Sequence, residues 1–447
     1  MPVLEAIVAE RVWKVEDLSA SKTLKFLQLI LEDYHPRDFT IQLWDGTEWL
    51  PEKSQFHRFT WKISNPDALR GVILSPNRQV SLAEAYVRGD FDIEGDIEAI
   101  FPLADFLIHK EWKVKGKVRL ARMFAGLSAS TSPPAVRDEA HLQGHPHSKS
   151  RDRQAIHYHY DVSNDFYKLW LDQNMAYSCA YFQSPDEDID TAQLRKFDYI
   201  CRKLRLTAGE RLLDIGCGWG GLMLFAAQKY GVRTVGITLS EQQLEFAQAR
   251  IVSMGLSDRC EVRLLDYRDL DEPAAYDKVV SVGMVEHVGE SNLAEYFQQA
   301  FHMLRPGGVF LNVGIGRAGN RPIENEPAFT DVYIFPDGEL ESAATMLANA
   351  ERAGFEVRDL ENLREHYCLT AKQWLRRLEA HAKEAEAIVG EIKYRMWRLY
   401  LAGSAYYFQR GWLDLYQSLL VKNQNGHNDL PLTREDWYCG SGLGISG

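Results

Sequence analysis

The sequence predicts an α/β fold. Its principal domain is a parallel sheet of the nucleotide-binding kind, with a smaller α+β domain before it and a helical region at its end. Three observations predict this. Leu212-Leu213-Asp214-Ile215 is a short apolar strand that feeds the glycine-rich turn Gly216-Cys217-Gly218-Trp219-Gly220 and the start of a helix. From Arg211 onward, strand-like and helix-like segments alternate, as a parallel sheet with crossover helices requires. The chain has 447 residues, enough for two domains with a sizeable core each.

Composition excludes several classes. The formal net charge of −12 argues against a nucleic-acid or other polyanion binder. A local basic patch still acts over the ~10 Å that salt allows. Six cysteines (Cys179, Cys201, Cys217, Cys260, Cys368 and Cys439) are scattered without metal-ligand spacing, which fits a reducing cytoplasm. The N-terminus lacks a basic segment followed by a long apolar run, so no signal peptide is expected. No apolar run approaches a membrane span, so any membrane contact is expected to be peripheral.

Residues 1–110 read as a separate small domain with a binding or docking role. Phe39-Thr40-Ile41-Gln42-Leu43-Trp44 alternates like a strand, and Asp45-Gly46 is a hairpin turn. Phe59–Ile63 is a second strand, and Ser81 to Arg88 a short helix ending near Gly89. Residues 111–153 change character. A basic run, from Lys110 through Lys113, Lys115, Lys117, Arg119 and Arg122, is interleaved with Trp112, Val114, Val118, Leu120, Met123 and Phe124. That mixture suits an anionic membrane surface, and equally a solvated basic helix. Residues 125–150, rich in Ser, Ala, Pro and His, read as a linker. His141, His145, His147, His157 and His159 straddle it without cysteines or paired acids, so no metal site is expected.

The remaining residues, 154–447, are expected to form the principal domain. Strands are expected at Arg211–Ile215, Thr234–Thr238, Glu261–Leu265, Lys278–Val282 and Val309–Val313. Helices are expected near Gly221–Tyr230, Glu241–Met254 and Leu293–Leu304, with Ser240 and Gln243 as a capping box for the second. Ala371 to Lys422 reads as largely helical and unusually aromatic. Its Trp374, Trp397, Tyr400, Tyr406, Tyr407, Phe408, Trp412 and Tyr416 suit core packing, or walls around an acyl chain.

Ligands of open α/β sheets lie beyond the carboxyl ends of the strands. Thr238-Leu239-Ser240 follows the second strand without the acidic residue that often binds ribose there, leaving Gln243 as the polar group in reach. Tyr267, after the third strand, is placed to pack on adenine. Glu286, in the apolar stretch Gly283-Met284-Val285-Glu286-His287-Val288-Gly289, is a carboxylate at a strand end and a functional candidate. The bland alternative is a solvent-facing helix start.

Several segments now carry a resemblance. Tyr158-His159-Tyr160-Asp161, Met175-Ala176-Tyr177-Ser178-Cys179-Ala180-Tyr181, the glycine turn, Asp266-Tyr267-Arg268-Asp269, Ser281–Gly289 and Tyr333-Ile334-Phe335-Pro336-Asp337-Gly338 occur in that order. Together they resemble the cyclopropane-fatty-acyl-phospholipid synthase family, which includes the mycolic acid cyclopropane synthases, over residues 154–422. Leu82-Ala83-Glu84-Ala85-Tyr86 and Gly89-Asp90-Phe91-Asp92 resemble its N-terminal domain more loosely.

The resemblance implies a Rossmann-like methyltransferase fold and transfer of a one-carbon unit from S-adenosylmethionine to the cis double bond of an acyl chain in membrane phospholipid. An alkene is a weak nucleophile, so the electrophile is a sulfonium methyl. The carbocation left on the chain needs π faces, nearby negative charge and exclusion of water. A base then removes a proton so that a cyclopropane ring closes. Carried over by position, the cofactor site comprises Tyr177, Ser178, Gly216, Gly218, Gly220, Thr238, Leu239, Gln243, Tyr267 and Arg268. The catalytic pocket, which holds bicarbonate in the family, comprises Cys179, Glu286, Ile315 and Tyr367. The resemblance also implies a homodimer, bound peripherally at the inner face of the membrane.

One departure bears on the product. The family commonly has a bicarbonate-binding His in a segment like Leu-His-Thr-Ile-Gly. Here Leu311-Asn312-Val313-Gly314-Ile315 puts Val313 at that position, so either Asn312 or a neighbour compensates, or bicarbonate is bound differently. Ser404, where some members carry a Cys, is conservative. The rival to ring closure is methylation giving a methylene- or methyl-branched chain. A rival of another class is a non-catalytic lipid-binding protein.

Overall fold

A computed structural model describes residues 20–52, 57–64, 72, 75, 77–110, 140–160, 162–319 and 328–438. The basic run beyond Lys110, the linker up to residue 139, Asp161 and Cys439 lie outside the described residues. The chain forms two compact units. One comprises Met1–Glu139, Glu324–Tyr333 and Glu391–Gly403, as far as they are described; the other comprises the rest. The division is therefore not a single cut in the sequence, because a late helical segment belongs with the N-terminal residues.

The smaller unit is built on a four-stranded sheet in the order β2-β1-β3-β4, with β1 Thr40–Gln42, β2 Glu48–Trp49, β3 Phe59–Ile63 and β4 Phe91–Gly95. The Asp45-Gly46 turn closes with Gly46 N–H donating to the Leu43 carbonyl at 3.0 Å, and Gly46 has a φ of +87°, which glycine adopts without strain. Strand β3 alternates as its sequence demands, burying Phe59, Trp61 and Ile63. Helix α1, Arg78–Val87, starts before the expected Ser81 because Asn77 caps it, its side chain accepting from Val80 N–H. Helix α2 spans Ile100–His109. Arg395, from the late segment, donates to the Tyr86 and Phe91 carbonyls at 2.8 Å each and stacks over the Tyr86 ring at 4.5 Å.

The larger unit carries a seven-stranded sheet in the order β10-β11-β9-β8-β5-β6-β7. Strands β5 Arg211–Ile215, β6 Arg233–Thr238, β7 Cys260–Leu264, β8 Tyr276–Val282 and β9 Leu304–Arg317 run parallel. Strands β10 Glu356–Asn362 and β11 Leu413–Val421 add an antiparallel edge. The C-terminal region is largely helical, as expected, but it ends in a strand, Leu413–Val421, held along its whole length by the 14-residue β9. Around the sheet lie α3 Lys149–Tyr160, α4 Ile189–Leu204, α5 Gly221–Tyr230, α6 Glu241–Ser253, α7 Leu293–Met303, α8 Ala343–Arg352 and α9 Arg364–Ala380. A further helical stretch, Ala382–Gln409, is broken at Gly390. Leu213, Val279, Val280, Phe310 and Leu311 are fully buried in the sheet's interior.

The chain leaves β5 for β6 and β7 on one side, then crosses back to β8 on the other. Such a reversal opens a crevice at the carboxyl ends of the strands. Among the described residues, no helix is long and apolar enough to cross a membrane.

Candidate active site

A cavity occupies that crevice. The turns after β5, β6, β7 and β8 line it, together with α3 and the segment Met175–Ser178. Of the expected cofactor residues, Tyr177, Ser178, Gly216, Gly218, Thr238, Leu239, Gln243, Tyr267 and Arg268 all line this one cavity. Gly216 has a φ of +77°, and a Cβ there would lie 3.0 Å from the Met284 side chain, so the turn admits only glycine comfortably. Gly220 is placed differently. It caps α5, and a Cβ there would press on Ala247 of α6 at 3.2 Å, so it permits helix packing.

At the β6 end, the Ser240 hydroxyl accepts from Gln243 N–H at 3.2 Å, which is half of a capping box. The Gln243 side chain does not reach back to complete it. Its carbonyl instead accepts from the Thr238 hydroxyl at 2.7 Å, fixing two polar side chains on the cavity wall. At the β7 end, Arg268 is fully engaged by protein. It donates to both Asp266 oxygens at 2.8 and 2.6 Å, to Asp152 at 2.8 Å and to the His147 carbonyl at 3.1 Å. Arg268 therefore ties α3 to the β7 turn rather than presenting an open cation. Tyr267 beside it meets Tyr296 edge-on at 5.5 Å.

Two charged residues of the wall were not singled out from the sequence. Lys196, on α4, is buried and donates to the Ser178 hydroxyl at 2.8 Å. Asp214, the last polar residue of β5, is 2% exposed and faces the same cavity. Burial pushes the Lys196 ammonium down to about 8 and the Asp214 carboxyl up to about 7, each opposed by the other's charge.

From the cavity an aromatic set extends inward. Tyr177 packs on Tyr160, Tyr167, Trp170 and Trp374, with ring centroids 5.2–6.2 Å apart. Trp374 in turn meets Tyr367 edge-on at 6.0 Å, and Tyr367 stacks on Phe408 at 4.4 Å. The two histidines among them, His159 and His287, are pushed by burial to about 3 and about 4, so both are neutral. The His159 ring is tied to the Ile334 carbonyl at 2.8 Å. A neutral, water-poor aromatic wall suits a hydrocarbon and shields a cation by its π faces.

Glu286 is not a solvent-facing helix start. It is 9% exposed, and one carboxylate oxygen accepts from Ile315 N–H at 2.6 Å. The other oxygen, Oε2, is buried without a hydrogen-bond partner among the described residues. Burial holds this carboxyl up at about 7, even though the Ile315 amide pulls it down. Cys179 and Tyr367 meet at Leu363. The Cys179 thiol lies 3.9 Å from the Leu363 carbonyl, which also accepts from Tyr367 N–H at 3.1 Å. Burial raises the Cys179 thiol well above its ordinary value, so it is no nucleophile.

The residues around Glu286 fit bicarbonate poorly. The imidazole of the family motif is replaced by the buried Val313 side chain, and the Ile315 amide is already taken by Glu286. Asn312 does not compensate. It alternates to the other face of β9, where it accepts from the Tyr296 hydroxyl at 2.8 Å. Nothing left at the Val313 position donates to an anion. The cofactor cavity, by contrast, fits an adenosyl amino acid in glycine turn, paired polar side chains and charges of both signs.

Known proteins resemble this chain over most of its length. The family model for mycolic acid cyclopropane synthetase matches residues 147–418. A probable fatty acid methyltransferase of Pseudomonas putida is 44% identical over 402 residues, covering 89% of this chain and 95% of the relative. A probable fatty acid methyltransferase of Mycobacterium tuberculosis is 39% identical, covering 79% of this chain and 85% of the relative. Among solved structures, the cyclopropane synthase MmaA2 from Mycobacterium tuberculosis superimposes with a TM-score of 0.58 at 34% identity, over 60% of this chain and 98% of that one. The mycolic acid cyclopropane synthase CmaA1, solved with SAH and CTAB, gives the same TM-score, identity and coverage: 0.58, 34%, 60% and 98%.

Proposed function

Because this chain belongs to the mycolic acid cyclopropane synthetase family, whose members use S-adenosylmethionine, we propose that it adds a one-carbon unit to the cis double bond of an unsaturated fatty acyl chain in phospholipid, with ring closure to a cyclopropane. The observation that carries this reading is the buried Glu286 carboxylate with one oxygen unpartnered, in a unit whose cofactor cavity opens onto a neutral aromatic wall.

When bound, S-adenosylmethionine supplies an electrophilic methyl on a sulfonium. Gly216 and Gly218 let the backbone approach it, and Thr238 with Gln243 offers hydroxyl and amide groups to the ribose. Tyr177 lines the cavity, and Trp374 packs behind it. As the alkene electron pair bonds to the methyl carbon and the carbon–sulfur bond breaks, positive charge develops on the chain. The π faces of these rings and the Glu286 carboxylate oppose that charge. Glu286 Oε2 then accepts a proton from the transferred methyl, and the C–H electron pair closes the ring. A carboxyl held near 7 is ionised often enough at neutral pH to act, and basic enough to take the proton. No step is routed through bicarbonate.

A second reading rests on Val313. Without an imidazole there, the base is built differently from the family motif, and loss of a proton from a neighbouring chain carbon yields a methylated, unsaturated product. The first two relatives described above are both termed probable fatty acid methyltransferases, which favours the same reading.

The test uses the purified full chain, S-adenosylmethionine labelled in its methyl group, and vesicles of phosphatidylglycerol carrying either monounsaturated or fully saturated chains. Label is expected in lipid only with unsaturated vesicles. Equal labelling of both, or of neither, overturns the reading.

A further inference from the structure

The pocket beyond the cofactor cavity takes its walls from two distant parts of the chain. Residues 177–182 supply Tyr177 and Cys179, and α9 supplies Tyr367 and Trp374. Residues 180–182 belong to no strand, so their backbone amides need acceptors from outside a sheet. Those acceptors alternate. Ala180 N–H donates to the Thr370 hydroxyl and Phe182 N–H to His366 Nδ1, each at 3.0 Å, and both acceptors are on α9. Tyr181 N–H, between them, donates to the Ala192 carbonyl of α4 at 3.2 Å. The spacing explains the fit. Residues four apart on a helix are about 6 Å apart along its axis, and residues two apart in an extended chain about 6.6 Å, so one face of α9 meets every second amide.

Both acceptors are held ready. Thr370 is fully buried, and its hydroxyl proton goes to the His366 carbonyl at 2.7 Å, which leaves a lone pair for Ala180. The His366 ring stacks on Tyr181 at 4.6 Å, and Tyr181 stacks on Tyr199 of α4 at 4.3 Å. Burial lowers the His366 imidazole below its ordinary value, against the pull of Glu361 and Glu365, so the ring is neutral and Nδ1 can accept. The residues just before are gripped separately. Gln193 of α4 donates to the Ala176 and Ser178 carbonyls at 3.2 and 2.9 Å. So α4 grips the cofactor end of the segment, and α9 grips its pocket end.

We propose that His366 and Thr370 are positioning residues for the one-carbon transfer. Their two hydrogen bonds set the gap between the wall that carries Cys179 and the wall that carries Tyr367, and so hold the acyl double bond in register with the transferred methyl. A misplacement of about 1 Å in a reacting pair costs on the order of 100-fold in rate. The inference rests on the proposed transfer to an acyl chain, and adds which side chains keep that pocket to its width.

The test sets turnover against donor affinity in the purified full chain. Turnover is read as label passed from methyl-labelled S-adenosylmethionine to vesicles of monounsaturated phosphatidylglycerol, and affinity as calorimetric binding of S-adenosylhomocysteine. Thr370→Val keeps the shape and removes the acceptor. Its kcat is expected to fall about 10- to 100-fold, with S-adenosylhomocysteine affinity within about twofold of wild type. Thr370→Ser keeps the hydroxyl and is expected to recover most of the loss. His366→Leu is expected to repeat the pattern, and His366→Asn, whose amide oxygen stands near the place of Nδ1, to recover part of it. His366 is only half-buried, so this second pair decides the matter if Thr370→Val does not fold. Wild-type turnover in both acceptor-free variants overturns the proposal. So does a parallel fall of turnover and affinity, or a Ser variant no better than Val, since either marks a merely structural role. A wild-type chain that passes no label to unsaturated vesicles overturns the proposed function, and this inference with it.

Discussion

Glu286 and Ile315 are joined by a 2.6 Å hydrogen bond from the strand amide to one carboxylate oxygen, and the second oxygen is left buried without a partner among the described residues. A carboxylate held by one oxygen and open at the other has a fixed direction and a high proton affinity. Replacing it by Gln keeps the shape and removes the base. Glu286→Gln is expected to lower turnover at least 100-fold while leaving S-adenosylhomocysteine affinity nearly unchanged, because a proton acceptor serves the transition state and not donor binding. Steady-state rates beside calorimetry check this. Near wild-type turnover removes Glu286 from the reaction.

The same residue sets a pH dependence. Burial raises the Glu286 carboxyl from 4.5 to about 7. As a base it must be ionised, so the rate is expected to rise with pH and level off above about 7. For stability the sign is opposite. The folded chain binds this proton more tightly than the unfolded chain, so the stabilisation is complete below 4.5 and lost as pH rises through about 7. Glu286→Gln is therefore expected to be more stable than wild type at pH 8, by on the order of 3 kcal/mol, and nearly equal to it at pH 4. Denaturant melts at the two pH values measure the difference.

Much of this site was legible in the sequence, because local pattern dictates it. The β5 strand, its glycine turn and α5 lie where the apolar run and glycine spacing put them, and nine of the ten expected cofactor residues share one cavity. The exception, Gly220, shows that one turn can line a cavity at one glycine and serve a helix contact at the next. Pairings made by the fold were not legible. Lys196 looks like any lysine on an amphipathic helix until α4 buries it beside Ser178. Arg268 has the position of a cofactor contact, yet Asp152, far away in the chain, claims it. Leu413–Val421 follows a long aromatic helix and has no clear period; only pairing with β9 makes it a strand.

Arg268 is expected to act on stability more than on ligand contact. Arg268→Met leaves Asp266 and Asp152 facing each other without their cation. The expected cost is on the order of 3 kcal/mol, partly recovered when Asp152→Asn is added. Melting temperatures of the single and double variants test the coupling. An unchanged melting temperature with lost cofactor affinity makes Arg268 a direct ligand contact instead.

The aromatic wall gives a graded expectation. Trp374 is 1% exposed and bridges Tyr177 and Tyr367. Trp374→Phe keeps a π face, and Trp374→Leu does not. Turnover is expected to fall about tenfold more in the Leu variant, the scale of one desolvated cation–π contact. Cofactor affinity is expected to be similar in the two, which calorimetry checks. Equal turnover in both variants shows that the ring serves packing alone.

Val313 stands where the family motif has a His, and its replacement tests whether this position bears on the product. It stands opposite Gln417 of β11, whose side chain accepts from the buried Lys203 at 3.0 Å. Val313→His therefore places an imidazole near a polar neighbour, at an expected cost of about 1–3 kcal/mol for the added volume. The variant is expected to become responsive to added bicarbonate, with a larger share of ring product. An unchanged product ratio and no bicarbonate response mean that this position does not govern ring closure.

The most direct measurement is the fatty acid profile of a bacterial host that lacks its own cyclopropane synthase and expresses this chain, read by gas chromatography and mass spectrometry with mild hydrogenation. The expected result is a new acyl species one methylene heavier than the monounsaturated precursor and resistant to hydrogenation, hence a cyclopropane. A species of the same mass that takes up hydrogen moves the reaction to methylation without ring closure. No species of that mass at all contradicts one-carbon transfer to the acyl double bond.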